Sequence, residues 1–136
     1  MIKKTITYED FNGDTRTEDY RFHLSKTELT MLESSVNGGF DNMIKQMVAT
    51  KDAPKIMKIF EKIVLTSYGT LSPDGKRFEK SEELAREFMQ TPAYDVLFIE
   101  LLENADEMSK FVIGILPKDV QEQIAKEKVT TLSTNA

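Results

Sequence analysis

Two stretches of period-two alternation flank the dipeptide Asn12-Gly13, and no other feature restricts the fold of this chain as tightly. Before the dipeptide, Ile2, Ile6 and Tyr8 alternate with Lys3, Thr5, Thr7 and Glu9. After it, Tyr20, Phe22 and Leu24 alternate with Asp19, Arg21 and His23. Period two puts each set on its own face of a strand. Asn-Gly supplies the positive φ values of a tight I′-type turn. The pattern therefore predicts an antiparallel hairpin with Ile6, Tyr8, Tyr20 and Phe22 on its buried face. Such a hairpin is marginal alone, so that face must rest on other elements.

Those elements read as helices. Ser25-Lys26-Thr27-Glu28 is a capping box ahead of Leu29, Leu32 and Val36, and Asn37-Gly38-Gly39 is a stop. Phe40, Met43, Ile44, Met47 and Val48 recur at helical spacing. Pro54 marks a start, and Ile56, Ile59, Phe60, Ile63, Val64 and Tyr68 form the next stripe, with Gly69 as its stop. Residues 70–80 read as a turn-rich connection around Pro73-Asp74-Gly75. Ser81 caps a short helix carrying Leu84, Phe88 and Met89. Thr91-Pro92 opens another, with Tyr94, Leu97, Phe98, Leu101 and Leu102 on its core face. Asn104 to Asp106 break it before Met108, Phe111, Val112 and Ile115, and Pro117 precedes Val120 and Ile124. The class expected is α+β, mainly α, with element order ββαααααα: an N-terminal hairpin packed on a bundle of about five to six helices. One domain is expected over residues 1–128, with a loose Ser/Thr-rich tail at 129–136.

Charge and composition exclude several functions. The formal charge is −5 and the basic residues are interspersed with acids, which argues against a nucleic-acid partner. There is no cysteine, hence no disulfide framework and no thiolate metal site. No apolar run approaches the ~20 residues that span a bilayer, and the N-terminus does not read as a secretion signal, so a cytoplasmic location is expected.

The motifs that resemble chemistry fail on their spacing. Asp10, Asn12 and Asp14 occupy the first, third and fifth positions of a calcium loop, but Thr15 stands where Gly is needed and Arg21 where a bidentate Glu is needed. His23, the only histidine, alternates onto the polar side of its strand, and no nucleophile elbow exists to use it. Ser72-Pro73-Asp74-Gly75-Lys76 lacks the first glycine and the Ser/Thr of a phosphate loop. The acidic pairs Glu82 with Glu83, Glu100 with Glu103, and Asp106 with Glu107 read as helix-end and surface charges that complement the dipole or pair with Lys and Arg. No catalytic residue, metal ligand or cofactor site is assigned.

What remains is apolar surface out of phase. Val96 and Ile99 lie off the main stripe of their helix, Leu65 opposite that of its own, and Ile113 off-phase on the next. Helices buried on two sides would explain them. So would a groove for a partner helix, rimmed by adaptable methionines such as Met43, Met47 and Met57. These four residues are the candidate partner-binding set.

The runs Thr5-Ile6-Thr7-Tyr8-Glu9-Asp10-Phe11-Asn12-Gly13 and Thr17-Glu18-Asp19-Tyr20-Arg21-Phe22 resemble the opening of tail assembly chaperones from siphophages of Gram-positive bacteria. Tyr68-Gly69, Ser72-Pro73-Asp74-Gly75-Lys76-Arg77-Phe78, Ser81-Glu82-Glu83-Leu84, Gln90-Thr91-Pro92-Ala93-Tyr94 and the stretch from Ala105-Asp106 to Leu116-Pro117 are similar to the same group. The resemblance covers most of residues 1–120. It implies a non-enzymatic protein that binds the tape measure protein, a very long helical protein, and keeps it soluble until tube subunits polymerise around it. Membership would leave room for the tail tube protein and further copies of the chain as secondary partners. Membership would make this chain the short form of a pair related by ribosomal frameshift, acting in the host cytoplasm. The family has no catalytic residues or fixed binding motif to transfer. A structural virion component, such as a tail-completion or tube-associated protein, is the alternative. A regulatory protein that binds a host factor is the next.

Overall fold

The computed structural model describes residues 1–35 and 53–122. The helix expected around Phe40 to Val48, the Asn37-Gly38-Gly39 stop and the tail at 129–136 lie outside them.

Strands β1 (Ile2–Glu9) and β2 (Thr15–Phe22) pair antiparallel, from Ile2 opposite Phe22 to Glu9 opposite Thr15. As the alternation predicts, Ile6 and Phe22 are buried, and Tyr8 and Tyr20 are half-buried on the same face. The opposite face carries a polar ladder, in which the Thr5 hydroxyl donates to Asp19 and Thr7 and Thr17 share a hydrogen bond.

The turn differs from the I′ expectation. Only Gly13 has positive φ, at 87°. The Gly13 N–H donates to the Asp10 carbonyl, and the Asp10 N–H to the Asp14 carbonyl. A type I turn followed by a left-handed glycine fits this geometry. The cause is Asp10, whose carboxylate accepts the backbone N–H groups of Asn12 and Asp14 and the Nε of Arg16. These donors and the Arg16 charge hold the Asp10 carboxyl below the usual aspartate range.

Helix α1 (Lys26–Ser35) begins on the expected capping box: Glu28 N–H donates to Ser25 Oγ, and Ser25 N–H to the Glu28 carboxylate. Helix α2 (Ala53–Ser67) ends one residue before Tyr68. Two strands then stand where a connection was expected: β3 (Tyr68–Leu71) and β4 (Phe78–Glu79). They complete a four-stranded antiparallel sheet in the order β1-β2-β3-β4. Pro73-Asp74-Gly75 is the turn between them. Ser72, buried at that turn, is satisfied because its hydroxyl donates to Asp74 and accepts from the Arg77 N–H. Gly69 is therefore a strand residue, not a helix stop. A Cβ there would lie 2.7 Å from the Phe78 ring and 2.8 Å from the Glu79 carbonyl.

Helices α3 (Glu82–Met89), α4 (Pro92–Glu103) and α5 (Ala105–Gly114) follow, capped by Ser81, Thr91 and Asn104 as their sequences imply. Residues 118–122 are also helical. The core lies between the sheet's apolar face and these helices. The fully buried rings of Phe22 and Phe111 stand 5.1 Å apart, and Phe60 reaches Phe111 from α2 at 6.1 Å. Phe98 touches Phe60 at 5.3 Å but is only half-buried. The mainly helical α+β class holds.

The glycines give a test of the second hairpin. Gly75 has φ of +74° with no atom of the described residues near its would-be Cβ, whereas the obstacle at Gly69 is purely steric and partly backbone. Gly69→Ala is expected to lower stability by about 3 kcal/mol, the upper end of overpacking. Gly75→Ala is expected to lower it by about 1 kcal/mol, from left-handed strain alone. Denaturant titration measures both. A larger loss at Gly75 than at Gly69 would contradict the close β3–β4 approach.

Candidate functional site

The surface of α4 carries the most distinctive apolar feature among the described residues. The Thr91 hydroxyl caps the Tyr94 N–H, and Pro92 starts the helix where its missing N–H does no harm. Ala93, Tyr94, Leu97 and Leu101 face the core. Val96 and Ile99, three residues apart, face outward and are 41% and 54% exposed. They line an open cavity of about 650 Å³ with Asp95, Glu100, Glu103 and Asn104.

Three carboxylates surround these two side chains, and none of them has an ion-pair partner among the described residues. Asp95 lies in the first turn of α4, where the helix dipole favours it. Glu100 and Glu103 lie in the last turn, which holds no basic residue. They neither complement the dipole nor pair with Lys or Arg, which corrects the expectation for that acidic pair. The expectation does hold elsewhere. Glu82 and Glu83 lie in the first turn of α3, and Glu107, in the first turn of α5, meets Lys4 and Lys110. The sequence signal for the acidic rim is that no Lys, Arg or His occurs between Arg86 and Lys110. The negative field reaches inward: burial, then the carboxylates of Glu61 and Asp95, push the Tyr94 phenol up to about 12.

The other two candidates are elsewhere. Leu65, half-buried on α2, lines a separate cavity of about 500 Å³ with Lys58, Lys62, Tyr68 and Ala85. Ile113 is half-buried on α5 and lines neither cavity. Met57 is exposed on α2, while Met43 and Met47 lie outside the described residues. The structure thus brings Val96 and Ile99 together and separates them from Leu65 and Ile113.

One wall of the α2 cavity is the ammonium of Lys80, which sequence inspection passed over. Its Nζ donates to both carboxylate oxygens of Glu28, to the Thr66 carbonyl and to the His23 carbonyl. It thereby joins α1, the end of α2 and the end of β2. Burial lowers the Lys80 ammonium below the usual lysine range, against the pull of Glu28. Burial also works against the Glu28 carboxylate, but the hydrogen bonds from Lys80 and the Ser25 N–H outweigh it, leaving that carboxyl below the usual glutamate range.

His23 departs from its expected surface position. It is half-buried, its ring stands edge-on 6.2 Å from Phe78, and its Nδ1 is shut away without a hydrogen-bond partner among the described residues. The unforeseen β4 strand supplies the cover. Burial, the N-terminal ammonium and Lys80 all lower its pKa, favouring the neutral ring. Among the described residues, no group of three His, Asp or Glu side chains is placed to hold a metal ion.

The Lys80 junction has a testable pH signature. Lys80→Met strands a carboxylate and two carbonyls, and is expected to lower stability by about 2 kcal/mol at neutral pH. Because the folded Glu28 pKa is depressed, its ion pair stabilises above the unfolded glutamate pKa of about 4.3 and fades as pH falls through the folded value. The loss caused by Lys80→Met is therefore expected to shrink towards about pH 3, as protonated Glu28 no longer needs the ammonium. Chemical denaturation of both proteins at the two pH values measures it. A loss independent of pH would contradict the junction.

A sequence model of one protein family, described as phage tail assembly chaperone, matches residues 1–136. No curated protein and no solved structure matches the chain.

Proposed function

The chain belongs to the phage tail assembly chaperone family, and on that premise we propose that it binds the tape measure protein and keeps it soluble while the tail is built. The observation that carries the reading is the outward pair Val96 and Ile99, 41% and 54% exposed beside each other on α4. An acidic domain has no folding reason to leave two branched apolar side chains adjacent on a helix surface, whereas a protein that shields an aggregation-prone helix does. The net charge of −5 keeps the complex in solution.

The magnitudes fit a client held at many points. Burying the exposed halves of Val96 and Ile99 contributes roughly 2 kcal/mol. A micromolar complex needs about 8 kcal/mol. Capture therefore depends on several copies acting along one long client, where effective concentration multiplies weak sites. The role is binding without catalysis, exercised in the host cytoplasm. No helix among the described residues is long and apolar enough to cross a membrane.

A second reading rests on the other end of the molecule. Phe11, at the tip of the β1–β2 hairpin, is 86% exposed. A structural tail component would use such a hairpin to enter a neighbouring subunit. Presence of the chain in purified virions would favour that reading.

Co-expression separates the two. The tape measure protein is expected to be insoluble alone and soluble with this chain. Val96→Lys with Ile99→Lys is expected to abolish the rescue while changing the chain's own stability by no more than about 0.5 kcal/mol per site, as exposed positions do. A client that stays insoluble beside the native chain would overturn the chaperone reading.

A further inference from the structure

We propose that the outer face of α4 selects cationic amphipathic helices: segments whose apolar stripe is flanked by Lys or Arg. This deepens the reading above and rests on it. The argument starts from what surrounds Val96 and Ile99. Of the six residues lining their cavity, Asp95, Glu100 and Glu103 are carboxylates and none is basic. All three are exposed and without an ion pair among the described residues, and α4 itself holds no Lys, Arg or His to offer them a cation.

Folding accounts for only part of the rim. Asp95 suits the first turn of α4, but Glu100 sits in the last turn, at the negative end of the dipole, with no cation in that turn. Glu103 stands between the C-terminus of α4 and the N-terminus of α5, where the two helix ends offset each other. Glu100 is thus a charge placed against the stability of its own helix. Docking supplies the missing partner. Val96 to Glu103 spans about 10 Å along the helix, two turns of an opposing helix. A client helix that packs its stripe on Val96 and Ile99 sets residues beside Asp95 on one flank and Glu100 on the other, with Glu103 one turn on at the C-terminal end of the same stripe. Lysine or arginine there closes ion pairs at the rim of the contact. The same charges reject acidic helices, so the face discriminates by sign as well as by apolarity. The hairpin tip of a second copy, which carries Phe11 beside Asp14, has the wrong sign for this cavity.

The test uses the full chain and two fluorescent helical peptides with the same leucine stripe, one flanked by lysines and one by glutamates. Anisotropy titrations are expected to show the lysine peptide binding at least tenfold more tightly at low salt, with the difference shrinking as salt rises. Glu100→Lys is expected to weaken the lysine peptide at least tenfold and to raise the chain's melting temperature, because it relieves the helix end. A purely structural Glu100 would not give those opposite signs. Equal binding of both peptides, with loss on Val96→Lys, would overturn the selection by charge while leaving the docking face intact. No binding of either peptide, with the tape measure protein still rescued by co-expression, would overturn this proposal and spare the chaperone reading. Failure of the rescue itself would overturn both. Sedimentation of the same samples covers the remaining occupant: if Glu100→Lys dissociates an oligomer of the chain and leaves peptide binding unchanged, the face joins copies and the proposal falls.

Discussion

The fold is organised by three consecutive residues, Phe22 at the end of β2 and His23 and Leu24 just past it. Phe22 places a fully buried ring against Tyr68, Phe88 and Phe111, at 5.8, 5.7 and 5.1 Å, and so touches β3, α3 and α5 at once. The His23 N–H donates to the Ser67 carbonyl at the end of α2, and the Leu24 N–H to the Ile115 carbonyl just past α5. The strand thus continues its hydrogen bonding into two helix ends, which otherwise leave carbonyls unsatisfied. Lys80 seals the same corner by bonding the His23 and Thr66 carbonyls and Glu28. Positions of α1, α2, α3 and α5 relative to the sheet all follow from this corner.

Most of the fold was legible because long periodic segments leave little choice. Apolar residues at even spacing on both sides of Asn12-Gly13, a capping box at Ser25, and Thr91-Pro92 ahead of a continuous stripe each specify one local structure. The second hairpin was hidden for a physical reason. Tyr68 falls four residues after Val64 and so continues the helical stripe of α2. Gly69 also suits a helix end. Strands of four and two residues are too short for alternation to show. Gly69 is needed instead for close approach to Phe78 and Glu79, a contact that only tertiary structure reveals. The same omission put His23 on the surface, because its cover is Phe78. At the first turn, Asp10 drew the backbone into a geometry that Asn-Gly alone does not specify.

The candidate site was half legible. Val96 and Ile99 stand out because they break the phase of a clear stripe, and they are exposed together. Leu65 and Ile113 break phase too, but neighbouring elements cover them by half. Their phase error reports a wide buried arc rather than a free surface. The acidic rim was misread because carboxylates near helix ends usually have a dipole or a cation to serve. For Glu100 neither exists among the described residues. It is the conjunction of an outward apolar pair with uncompensated charge that separates the α4 face from ordinary surface.

The central claim is that α4, and not the protruding hairpin, holds the client. Hydrogen exchange on the full chain, alone and in its co-expressed complex with the tape measure protein, tests this most directly. Slower exchange confined to Pro92–Glu103 and its immediate neighbours, with the hairpin of residues 2–22 unchanged, is the expected result. Protection of the hairpin with α4 exchanging as in the free protein would contradict it.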